Sequence, residues 1–180
     1  MVNLNKADLI EQFVQSAIST TATVERIASD AGVLTAMLEK NTNEDELILL
    51  SEPNDLNPEL FSKFKLNKKV ITNPTTEQLR TIKTGVTDAF CAVASTGSVC
   101  VSVSKNLSSP ASMLTRKHIV VVDSKTIVPT PRNVFDENYL DGKGLKRSFS
   151  FVTGPSATAD MGPLVRGVHG PGYLHIIILE

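Results

Sequence analysis

The chain has too few cysteines, too short apolar runs and too little net charge to fit several large functional classes. Its only cysteines, Cys91 and Cys100, lie nine positions apart, with no Cys-x-x-Cys and no histidine at ligand spacing. They do not make a zinc or iron-sulfur site. Set among Ala, Val and Ser in strand-like runs, both read as buried, reduced thiols. No apolar run approaches the roughly 20 residues a membrane span needs. Asp8 and Glu11 stand where a signal peptide would carry its apolar core, so a cytoplasmic protein is expected. Eighteen basic against nineteen acidic side chains leave a formal charge of −1. The lysines at 63, 65, 68 and 69 form a cluster too short for a nucleic-acid-binding face and read as a solvated loop. Internal repeats, low-complexity tracts, a P-loop and a GxGxxG turn are all missing.

What is present is ordinary globular composition, 41% hydrophobic and 21% charged over 180 residues. That length suits a single domain that buries roughly 70% of its unfolded surface. Residues 7–19 place Leu9, Ile10, Phe13, Val14 and Ala17 on one helical face. A β-branched stretch follows at 21–27, then a helix capped by Ser29 with Val33, Leu34, Met37 and Leu38 on its apolar side. Short strands are predicted at 46–50 and 70–72, a helical turn after Pro58, and a helix over 75–84 capped by Thr75 or Thr76. This alternation predicts an α/β domain, a parallel sheet with helices on both faces.

Residues 89–94 and 98–103 are β-prone runs joined by Ser95-Thr96-Gly97, a hairpin rich in small side chains that lets backbone or a ligand approach closely. Ile119 to Val122 reads as a central parallel strand, with His118 a satisfied histidine at its edge. A rigid irregular segment over 127–132, a short helix over 135–140 and a flexible loop over 141–147 follow. The last thirty residues read as strand, phosphate-sized loop, short helix and strand, which would set the loop at the carboxyl end of a buried strand.

That loop, Gly154 to Asp160, offers backbone N–H groups and the hydroxyls of Ser156 and Thr158 to an anionic group, whereas Pro155 has no N–H to give. Asp160 repels an anion unless it turns back as a cap, so a ligand loop and a structural turn both fit. His169, in a Gly-rich turn with Gly170, either hydrogen-bonds the neighbouring loop or serves as acid or base. Arg132 and Arg166 are candidates for an anion clamp. Neither a Ser-His-Asp set nor paired carboxylates nor a metal cluster can be assembled.

Three segments carry a family resemblance: GVTDAFCAVASTGSVCV (85–101), RKHIVVVDSKTIVP (116–129) and SFVTGPSATAD with GVHGPGYLHIIIL (150–179). They resemble the lactate-utilisation (LUD) domain family, also DUF162, and within it the LutC/YkgG group. The resemblance implies a Rossmann-like open sheet of the NagB/RpiA/CoA-transferase kind, in a bacterial system oxidising L-lactate to pyruvate. It also implies that companion subunits carry the iron-sulfur clusters and that this chain holds no cofactor. Ser95 stands where the family's turn is expected to have an acidic residue, so a carboxylate nucleophile of the CoA-transferase type is not available there. The span from Asp123 to Arg147 is also shorter than in family members.

The expectation is therefore a non-redox accessory subunit that binds a small anionic ligand or a partner. Its surface would combine Thr96, Gly97 and Ser98 with Gly154 to Asp160 and with His169 and Gly170. The alternative is a free-standing enzyme acting on a CoA thioester or sugar phosphate, with His169 and Asp160 as its acid–base candidates.

Overall fold

The structure, a computed structural model, describes residues 5–45, 47–103, 107–160 and 162–180. Glu46, at the start of the strand predicted over 46–50, lies outside the described residues. Helix α1 (Lys6–Ser19) buries Ile10, Phe13 and Ala17, and Asn5 caps it by accepting from the Asp8 N–H. Strand β1 (Thr23–Ile27) leads to α2 (Ala31–Thr42), capped by Asp30 rather than Ser29 because its carboxylate accepts from both the Gly32 and Val33 N–H groups. Next come β2 (Ile48–Leu50), a 3₁₀ turn (Pro58–Phe61) running into α3 (Ser62–Lys65), and β3 (Val70–Ile71). Helix α4 (Thr76–Thr81) starts at a capping box in which Thr75 and Gln78 each satisfy the other's backbone.

Strand β4 (Thr84–Ala89) bends at Phe90 into β5 (Cys91–Val93), and the turn around Gly97 joins β5 to β6 (Ser98–Ser102). Helix α5 (Ser108–Met113) and β7 (Lys117–Asp123) follow. After β8 (Ile127–Val128) come two 3₁₀ segments, Pro131–Phe135 and Leu140–Lys146. The chain closes with β9 (Phe149–Thr153), a ribbon of β10 (Ala157–Thr158) and β11 (Val165–Arg166), and β12 (Tyr173–Leu179).

Two sheets result. The larger is parallel throughout, in the order β1-β12-β7-β4-β2-β3. The smaller, β8-β5-β6-β9, mixes one parallel and two antiparallel pairings. One face of the parallel sheet, with Val86, Ile119, Val121 and Ile177, packs on Leu34, Leu38, Phe61 and Phe64 of the α2–α3 side. The other, with Val120, Val122, Leu174, Ile176 and Ile178, packs on α1 and on Ala92, Val99 and Val101 of the small sheet. Helix α5 lies so close on β4 that a Cβ at Gly85 would collide with the Ala111 backbone. The predicted α/β open sheet with helices on both faces is thus present.

Several details differ from the sequence expectations. Strand β4 and helix α5 were not foreseen. The helix expected over 135–140 is instead two 3₁₀ segments on either side of that span, with Leu140, Asp141 and Gly142 all at positive φ. Among the described residues no helix separates β9 from β12; Pro155, Pro163 and the glycines around them accompany the β10–β11 ribbon instead. Strand β9 is an edge of the small sheet, with Phe149 and Phe151 facing outward onto Phe135. The loop after it therefore sits at the amino-terminal edge of the parallel sheet, not at a carboxyl end.

Candidate functional site

The loop after β9 meets the amino ends of β1, β7 and β12. Gly154, at φ +64°, is packed so tightly on Thr20 that a Cβ would collide with the Thr20 carbonyl. The Ser156 N–H donates to the Pro171 carbonyl at 2.8 Å, and the Gly167 N–H donates to the Ser156 carbonyl at 2.9 Å, closing the loop on the Gly170 turn. Between this loop, the end of α5 and the sheet lies a cavity of about 350 Å³. Gly154, Pro155, Ser156, His169 and Gly170 line it, together with His118, Ser112 and Met113.

His118 is the residue whose role sequence reasoning misjudged. Strand β7 is central, as its β-branched run predicts, but His118 at its start is wholly buried rather than a satisfied residue at an edge. Its Nε2 lies 2.8 Å from the Thr87 hydroxyl on β4, while its Nδ1 has no hydrogen-bond partner among the described residues. Burial pushes its pKa down to about 3, so the imidazole is neutral at physiological pH. An unmet polar atom buried at a cavity wall is costly unless something fills it. This is the strongest single indication that the cavity is a site. The signal available in the sequence was a histidine leading directly into a β-branched strand with three consecutive valines.

The other predicted residues divide. Thr96, Ser98 and Thr153 form a hydroxyl chain, Oγ1 to Oγ to Oγ1, with both steps 2.7 Å, that ties the hairpin turn to the base of the loop. Gly97, at φ +65°, sits against α1, where a Cβ would collide with the Ser16 and Ala17 backbone. Close approach there is made by a helix. Thr158 lies in the ribbon with Asp160 exposed beyond it, and neither lines the cavity. Arg132 is exposed in the first 3₁₀ segment, whereas Arg166 lines a different cavity of about 170 Å³ with Lys117 and His175. The two arginines line no common cavity.

His175 lies 2.7 Å from the Thr23 hydroxyl and 3.0 Å from the Glu25 carboxylate, and burial lowers its pKa against the pull of that carboxylate. Cys91 and Cys100 face each other across the hairpin, both buried and both free. The Cys100 thiol beside it and burial together push the Cys91 pKa well up. No cluster of metal-ligating side chains occurs among the described residues, and none of the described helices is long and apolar enough to cross a membrane.

An open parallel sheet of this order, backed by a second sheet and with its motif loops gathered on one edge, defines a Rossmann-like α/β domain. The chain belongs to the LUD domain family, whose model matches residues 3–179. It is 34% identical over 100 residues to Lactate utilization protein C of Bacillus licheniformis, a match covering 53% of this chain and 42% of that one. Against the protein of the same name from Bacillus subtilis, identity is 33% over 91 residues, covering 48% and 38%. The matched stretches thus span less than half the length of these relatives. The crystal structure of a DUF162 family protein from Deinococcus radiodurans superposes with a TM-score of 0.74 at 18% identity, covering 98% of this chain and 99% of that one. At that identity the likeness speaks for the fold.

Proposed function

We propose that this chain is a non-redox, ligand-binding component of a bacterial L-lactate utilisation system. In this reading it works in the cytoplasm beside iron-sulfur subunits that carry out the oxidation, and holds no cofactor of its own. The relatives named Lactate utilization protein C support the physiological setting. The observation that carries the binding role is the unpartnered Nδ1 of His118 at the wall of the amino-edge cavity. The ligand that suits this cavity is small and hydrogen-bonding. Histidine and serine side chains supply polar groups, Met113, Phe151 and Leu174 supply apolar contact, and no Lys or Arg among the described residues lines it.

Two measurements test the reading. Affinity purification of the tagged protein from its own cells should retain iron-sulfur proteins, and the purified chain alone should be colourless and fail to oxidise L-lactate. A thermal-shift screen should find a small hydroxy- or keto-acid, or a neutral analogue, that stabilises the wild type and not His118→Gln. A ligand at 100 times its dissociation constant contributes about 2.7 kcal/mol. Recovery of no iron-sulfur partner, or turnover of lactate by the isolated chain, would overturn the assignment.

A further inference from the structure

The opposite edge of the parallel sheet carries another cavity. Where β2 ends, the loop over 51–57 is held by Asp88 at the end of β4, whose Oδ2 accepts from the N–H groups of Asn54, Asp55 and Leu56 at 2.6–2.9 Å. Asp55, so fixed, pairs with the Arg147 guanidinium, which also donates to the Ser102 hydroxyl at 3.0 Å. The same guanidinium stacks over the Phe90 ring, 4.5 Å from its centroid. Arg147 is therefore locked from three sides, through Nη1 and the flat of the group. Its Nε and Nη2 have no partner among the described residues.

Beside it is a cavity of about 340 Å³, lined by Asn54, Ser102, Lys143, Lys146, Arg147 and Ser148 among others. No carboxylate lines it, and neither lysine has an ion-pair partner among the described residues. The lysines are presented by a backbone in which Leu140 and Asp141, both non-glycine, hold φ values of 54° and 53°. Gly144 in the same segment is pressed on the Val134 carbonyl, which leaves no room for a Cβ. A strained segment held in place by packing sets two cations beside an anchored third. Ligands of open α/β sheets bind at the carboxyl ends of the strands, which is where this cavity opens.

We infer that this carboxyl-edge cavity binds a phosphoryl group, as a phosphate ester or a pyrophosphate. Three cations, one of them paired with Asp55, beside a wall otherwise of Asn54, two serines and Val103, match a group carrying two or more negative charges better than a monocarboxylate. The inference is independent of the amino-edge cavity and of the lactate reading, because it shares no lining residue with that pocket.

Inorganic pyrophosphate is the direct probe, titrated into the intact chain by calorimetry at low and moderate salt. It should bind, with affinity falling as salt rises, and the double variant Lys143→Gln/Lys146→Gln should bind it about tenfold or more weakly. Both lysines are exposed, so the variant is expected to melt with the wild type. The control Lys68→Gln/Lys125→Gln removes the same charge from exposed positions elsewhere and should leave the affinity unchanged. Absence of binding by the wild type, an equal loss in both double variants, or L-lactate binding as tightly at this site would each overturn the inference.

Discussion

Replacing His118 by Gln isolates what it costs the fold to keep an imidazole neutral between two sheets. The ordinary histidine pKa is 6.5, and burial takes the folded value to about 3. As the pH falls through 6.5 the unfolded chain takes up a proton that the folded chain refuses. The stability contributed by His118 is therefore complete above the unfolded pKa and drains away as the pH falls toward the folded one. Between pH 7 and pH 5 the loss integrates to about 2 kcal/mol. For a domain of this size that corresponds to about 4–8 °C in Tm. His175 is also held below its ordinary value by burial, so the wild type loses stability at low pH for two reasons. The Gln variant keeps an amide for the Thr87 hydroxyl but cannot titrate. Urea unfolding of both proteins at pH 7 and pH 5 should show the variant losing about 2 kcal/mol less than the wild type across the interval. Parallel decline of the two would refute the claim that His118 is buried uncharged.

Further outcomes follow from the same packing. Gly97→Ala should destabilise by about 1–3 kcal/mol, because the added Cβ meets the α1 backbone at a positive φ; an unchanged urea midpoint would count against that contact. Asp88→Ala leaves three loop N–H groups without their acceptor, and a loss of about 1–3 kcal/mol, with faster amide exchange at 54–56, is expected from urea melts and hydrogen exchange. In the native protein neither Cys91 nor Cys100 should react with a disulfide reagent at pH 8, since both are buried and the Cys91 thiol is held protonated; two thiols should titrate once denaturant is added, and rapid native labelling would contradict this.

The parts legible from sequence were those in which local pattern and tertiary role agree. The α1 spacing, the Thr75 cap, the Ser95-Thr96-Gly97 hairpin and the terminal strand each announce themselves through periodicity or turn chemistry. Strand β4 did not, because Thr-Gly-Val-Thr-Asp-Ala is small and hydroxylic where a central strand usually reads as Val and Ile. Its Gly is required by α5, a short helix that was itself not foreseen because it has no side-chain cap. The motif loops were located in sequence, and the structure gathers Gly154, Ser156, His169 and Gly170 at one cavity. The partner they share, His118, is distant in the chain, and only the strand order β12-β7-β4 places it there. Likewise Asp55, Asp88 and Arg147 carry no motif. Their convergence depends on a loop, a strand end and a 3₁₀ segment meeting at one sheet edge.

Strand β1 has a single neighbour in its sheet, β12, and the Thr23 hydroxyl bonds a histidine 152 positions later. During synthesis β1 must therefore wait for nearly the whole described chain before it finds its ladder. Meanwhile the apolar stripe of α1 has no completed surface to rest on. Such long-range closure slows folding and leaves a strand edge open to other chains. Nascent chains arrested before Tyr173 should be captured by a holdase chaperone, and release from it should coincide with the emergence of the β12 segment.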